Sequence, residues 1–206
     1  RMALTTGRLW VGTAGWSYAD WAGRVYPDPA PARFRPLEYL SRFFDCVEVN
    51  VPFYRHADRK LADGWVRQVR ERARFAFLCK LHQSFTHGQE AWGAHESRAY
   101  LEPLAPLRAA GRLAALLVQL PWSARFDERT RERLARIAEA FAAVPLVLEV
   151  RHASWDRAEA FAWMQEHRFG FCNIDQPALR DCLPPTARVT GPIGYVRLHG
   201  RNAAAW

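Results

Sequence analysis

The sequence has no apolar run of the roughly 18 residues that a membrane-spanning helix needs. Its first ten residues, RMALTTGRLW, lack the apolar stretch of a secretory signal. A cytoplasmic location without membrane contact is the resulting expectation. Cysteines are few and scattered: Cys46, Cys79, Cys172 and Cys182 form no CxxC pair. That argues against a zinc site or a disulfide framework and for reduced, mostly buried thiols. No GxGxxG, P-loop or nucleophile elbow occurs, and no cofactor is expected. Lysine is nearly absent: Lys60 and Lys80 are the only two among 29 basic residues. With no low-complexity linker and no basic tail, residues 1–206 read as a single domain.

What is present is globular in character. Half of the residues are hydrophobic and 24% are charged, with a formal net charge of +8. A basic chain can bind nucleic acid. Here much of the excess lies in RKLADGWVRQVRERAR and DERTRERLARIAEAF, where Arg alternates with Ala, Leu and Glu at helical spacing. Those stretches read as solvated outer faces, so nucleic acid is the weaker expectation. The sequence carries no signal for oligomeric state.

Short β-branched or aromatic runs alternate with helical patterns. The strand candidates are LWVGTAG, CVEVN, RFAFLCK, LAALLVQLP, PLVLEVRH, FGFCNID and GYVRLHG. Alternation of this kind predicts right-handed crossovers and a parallel sheet. Residue parity then separates the faces of each strand. Glu48 and Asn50 stand against Val47, Val49 and Val51; Ala76, Leu78 and Lys80 against Phe75, Phe77 and Cys79. Leu117 and Gln119 share a face, as do Val147, Glu149 and Arg151, and Tyr195, Arg197 and His199. On FGFCNID the reading places Asn173 and Asp175 with Phe171, against Cys172 and Ile174. An open doubly wound sheet is covered on both faces and reads apolar on both. One face that turns polar toward the C-terminal end predicts a TIM-type (β/α) barrel, with the polar groups at its mouth. Seven strands are identifiable against the usual eight, so the eighth is expected to be missing from a C-terminally incomplete chain.

The motifs VGTAGWSYADW, VEVNVPFY, LLVQLP, LEVRHASW and YVRLHGR occur in that order between Trp10 and Trp206. In this the chain resembles the YecE-like proteins, also called the domain of unknown function 72 family. Ala14 stands where the family usually has Ser. The resemblance implies a TIM-barrel-like fold and no particular activity. Family members usually continue past RLHGR through a Tyr-rich segment and a last strand with paired asparagines, neither of which is present here.

The candidate catalytic residues are Glu48, Lys80, Glu149, Asp175 and His199. Glu149 with Arg151 and His152 can form an acid or base held by an arginine, with His152 as proton carrier; the alternative is a structural ion pair. Arg197, His199 and Arg201 in RLHGR offer planar forks for a carboxylate or phosphate. Counting Lys80, Arg151 and Arg197 against Glu48, Glu149 and Asp175 gives a neutral inner ring. Lys80 can act as a base or Schiff-base nucleophile if desolvated, or simply pair with Glu48. Asn50 and Gln119 complete the polar lining. Trp16, Tyr54 and Trp155 fall in the loops after strands and can stack on a ligand or seal the rim. Glu149, Asp175 and His199 also suit a divalent metal, but the interleaved arginines argue against one. The expected function is acid–base chemistry on a small polar, anionic molecule. The alternatives are a non-catalytic nucleic-acid or ligand-binding protein, and a metal-dependent isomerase or phosphodiesterase-like barrel.

Overall fold

The computed structural model describes residues 7–54, 58–88 and 91–202. All seven expected strands are present: β1 Gly12–Ala14, β2 Cys46–Val49, β3 Ala76–Lys80, β4 Leu113–Gln119, β5 Leu146–Glu149, β6 Phe169–Asp175 and β7 Tyr195–Leu198. They form one all-parallel sheet in the order β1 to β7. Helices occupy the crossovers: α1 Pro36–Leu40, α2 Val51–Tyr54, α3 Arg59–Gln68, α4 Gln83–Thr86, α5 Ala94–Leu101, α6 Ala105–Ala109, α7 Glu128–Ala140 and α8 Ala158–Glu166. Their starts follow ordinary capping chemistry. Asp58 Oδ1 accepts from Lys60 N, and Asp127 Oδ1 from Thr130 N, both at 2.8 Å, while Pro36 opens α1 where no donor is lost. Among the described residues no helix is long and apolar enough to cross a membrane.

Parity divides the core into two layers. Val47, Val49, Phe77, Leu116, Leu148 and Phe171 bury one sheet face against Trp65, Leu107, Ile137 and Met164 of the helices. Leu78, Ala115, Leu117, Val147, Cys172 and Ile174 form a smaller cluster on the opposite, concave face. The sheet curls around this cluster into a half-barrel, so that side chains of β7 reach β2. Strand hydrogen bonds do not join β7 to β1 among the described residues.

One strand departs from the sequence reading. Side chains paired across parallel strands share a face. The register sets Cys172 beside Tyr195 and Ile174 beside Arg197, on the concave side, and Asp175 beside Leu198 on the outside. Asp175 therefore does not join the inner ring. The physical reason is the connection that follows. Residues 176–194 contain no helix, turn at Arg180–Asp181 and bend at Gly191–Pro192, and this irregular segment needs polar anchors. Asn173 supplies them: its Oδ1 accepts from Thr186 Oγ1 and Arg188 N at 2.8 Å, and its Nδ2 donates to Arg188 O at 2.9 Å.

Candidate functional site

The concave face ends in a ring of charged side chains at the C-terminal edge of the sheet. Lys80 on β3, Gln119 on β4 and Glu149 on β5 each lie two residues past a member of the inner apolar cluster, while Glu48 on β2 is level with Leu78 and Arg197 on β7 with Ile174. Arg197 is the hub. Its Nε and Nη2 donate to Glu48 Oε2 and Oε1 at 2.9 and 2.8 Å, and its Nη1 donates to Glu149 Oε2 at 2.5 Å. Tyr195, two residues back on the same face, donates its hydroxyl to Glu48 Oε2 at 3.0 Å. Arg151 closes the other side, with Nε and Nη2 each 2.9 Å from Glu149 Oε1. His199 Nε2 stands 3.1 Å from Arg197 Nη1 and accepts from it, because a guanidinium only donates.

The first loop folds back onto this ring. Gly15 takes φ 87°, which non-glycine residues rarely adopt, and a Cβ there would lie 2.6 Å from the Tyr18 hydroxyl. The turn lets Tyr18 donate to Ala14 O beside Glu48, whose charge, after burial itself, raises the phenol pKa.

Burial and charge set the protonation states. Burial pushes the Glu149 carboxyl up, but His199 and the charges of Arg197 and Arg151 outweigh it and hold the group at about 2. The arginines dominate on distance, since His199 Nε2 stands 3.6 Å from Glu149 Oε1. Burial works against the Arg197 charge, yet Glu149 and Glu48 more than compensate and raise its pKa. Lys80 is different. Burial and Arg197 bring its amine down to about 8, with Glu149 and Glu48 opposing. It pairs with no carboxylate among the described residues; its Nζ lies 3.6 Å over the Phe53 ring. The sequence-based pairing of Lys80 with Glu48 therefore does not form, because Arg197 and Tyr195 occupy both Glu48 oxygens.

Several other expected residues lie elsewhere. Asp175 is bound from outside by Arg201, Nε to Oδ1 2.7 Å, on the exposed side of β6, so Glu149, Asp175 and His199 do not converge as a metal site would require. Trp155 is fully buried, donating Nε1 to Ala124 O and packing on Phe126, and has no face to offer a ligand. Trp16 packs edge-on against Trp65 in the helix layer. His152 is buried on the opposite parity to Arg151, where its Nδ1 accepts from Ser154 N beside the Trp122 ring, so it carries no proton for Glu149. Asn50 is half-buried at the end of β2, its carbonyl accepting from Phe53 N. Tyr54 is exposed at the rim against Phe53. Phe53 follows the second strand with Tyr54 as an expected rim aromatic, whereas Tyr195 and His87 are not among the expected site residues. Tyr195 was legible from its parity with Arg197. The contact of Phe53 with Lys80, and of its ring with His87 at 5.4 Å, depends on the α2 turn and had no sequence signal.

Comparison with known proteins agrees with this fold. The UPF0759 protein YunF of Bacillus subtilis (strain 168) is 27% identical over 213 residues, covering 96% of this chain and 72% of YunF. The crystal structure of a DUF72 family protein from Thermotoga maritima MSB8 superposes with a TM-score of 0.80 at 30% identity, over 94% of this chain and 75% of that one. A DUF72 family protein from Enterococcus faecalis V583 shares the fold with a TM-score of 0.82 at 24% identity, over 95% of this chain and 72% of its own. The family described as "Protein of unknown function DUF72" matches residues 10–206, and the chain belongs to that family.

Proposed function

We propose that the chain is an enzyme that moves protons on a small substrate bearing a carboxylate or phosphate, bound in the mouth of a TIM-type barrel. The carrying observation is a charge imbalance. With Asp175 outside the ring, the described residues set Lys80, Arg151 and Arg197 around Glu48 and Glu149, three cations with two carboxylates. A largely buried excess of one positive charge favours an anion. The C-terminal edge of the strands is where barrel enzymes keep their sites.

The roles divide by protonation state. Glu149, held at about 2, is too weak a base to take a proton at neutral pH, and it serves to fix Arg151 and Arg197. Lys80, at about 8, lies near the working pH that suits proton exchange. The substrate anion sits against Lys80 and Arg151, and the Lys80 amine exchanges the proton.

A thermal-shift screen against phosphorylated and carboxylated metabolites tests the reading. A true ligand at a hundredfold excess over Kd stabilises by about 2.7 kcal/mol, and Lys80→Met should abolish the shift. No stabilisation by any anion, or equal stabilisation of Lys80→Met, would sink the proposal.

A further inference from the structure

We infer that Lys80 is the nucleophile of this site, its amine condensing with the carbonyl carbon of a small anionic aldehyde or ketone to form a Schiff base. The inference rests on the reading above and names its substrate class. Lys80 is 8% exposed at the mouth. Every carboxylate oxygen of Glu48 and Glu149 already accepts from Arg197, Tyr195 or Arg151, and among the described residues the Lys80 ammonium makes no ion pair with either carboxylate. The groups acting on the amine are Arg197 from β7, Glu149 and Arg151 from β5 and its end, Glu48 from β2, and the Phe53 face from α2, with His87 beyond that ring. Desolvation beside other cations is how a lysine amine becomes a nucleophile near neutral pH, and the lowered value of about 8 agrees.

The chemistry balances without a redox partner. The neutral amine forms a C–N bond to the carbonyl carbon as the C=O pair moves to oxygen. The nitrogen proton passes to that oxygen, a second proton from water lets it leave as water, and the nitrogen lone pair closes the C=N bond. The product is an iminium carrying one positive charge. That charge favours a carbonyl over an acyl donor. An iminium keeps the cation that faces Phe53 and the two carboxylates, whereas acylation would erase it and leave two cations against two carboxylates, with no excess to hold the anionic end.

The test uses the full chain with pyruvate or glyoxylate as probe and sodium cyanoborohydride as trap, followed by peptide mass mapping. Lys60, exposed at the start of α3, is an internal reference that needs no variant. The reduced adduct should form on Lys80 about tenfold or more over Lys60, since each pH unit by which an amine's pKa falls raises its neutral fraction about tenfold. The Lys80 yield should rise through about pH 8. Inorganic phosphate should suppress it, and Lys80→Arg should lose it. Equal labelling of Lys60 and Lys80 overturns the inference. So does an unlabelled Lys80 while pyruvate still raises the melting temperature, and in that case the acid–base reading stands. No adduct and no stabilisation by any anion overturns both.

Discussion

Arg197 on β7 grips Glu48 on β2 along both edges of its fork, with Nη2 2.8 Å from Oε1 and Nε 2.9 Å from Oε2. The two residues stand near opposite ends of the strand order. Only a curled sheet brings them together, and this pair bridges the two sides where strand hydrogen bonds do not. The remaining nitrogen, Nη1, goes to Glu149. A guanidinium spent in this way is a clamp more than an anion receptor.

Arg197→Lys should therefore lower stability. It keeps the charge but cannot hold two carboxylates in one plane. Arg197→Ala should cost about 3–5 kcal/mol in urea denaturation, the usual result of leaving a buried partner unpaired, with Arg197→Lys intermediate. An unchanged melting temperature for Arg197→Lys, with only anion binding reduced, would make Arg197 a ligand contact instead.

Stability should depend on pH in two windows. Glu149 falls from 4.5 to about 2 on folding, so the native state binds its proton less readily than the unfolded chain. Its contribution is present above pH 4.5 and lost as pH falls toward 2. Lys80 falls from 10.5 to about 8, so the unfolded chain holds more proton between these values and stability should rise with pH there. Urea titrations of wild type and Lys80→Met across both windows check this. The variant should lose the alkaline rise and keep the acid loss.

Gly12 has a tight neighbour. A Cβ there would lie 2.2 Å from Cys46 O and 2.6 Å from Cys46 Sγ, its register partner on β2. Gly12→Ala should cost about 1–3 kcal/mol by overpacking. Gly12→Ala combined with Cys46→Ala should recover little, because the backbone oxygen remains; full recovery would show that the sulfur alone made the clash.

The basic surface should bind nucleic acid poorly. Three of its arginines lie over aromatic rings: Arg131 over Phe126 at 5.2 Å, Arg136 over Trp92 at 4.8 Å, Arg188 over Phe161 at 5.1 Å. Used as apolar cover, they are less available to phosphates. Random-sequence duplex DNA should bind no tighter than roughly 10⁻⁶ M at physiological salt. A much tighter, steeply salt-dependent affinity would point to a nucleic-acid partner.

The sequence alone determined the strand set, the parallel order and the pairing of Glu149 with Arg151. The strand set and the pair depend on periodicity within one segment, a local property of the backbone, and the parallel order on the alternation of strands with helices along the chain. It did not determine which side of β6 faces inward. That strand is apolar on both faces, with Phe169 and Phe171 against Cys172 and Ile174, so the pattern could not choose, and the polar look of Asn173 and Asp175 pointed the wrong way. The register with β7 chose: Ile174 lies beside Arg197, and Asp175 turns out to Arg201. Trp155 shows the same limit in a loop, since a tryptophan after a strand reads as rim until Ala124 and Phe126 close over it. Only tertiary structure set Lys80 over Phe53 and gave both Glu48 oxygens to Arg197 and Tyr195. The Glu48 contacts join β2 to β7 across most of the chain, and the curl of the sheet that permits them is a sum over every strand pair between.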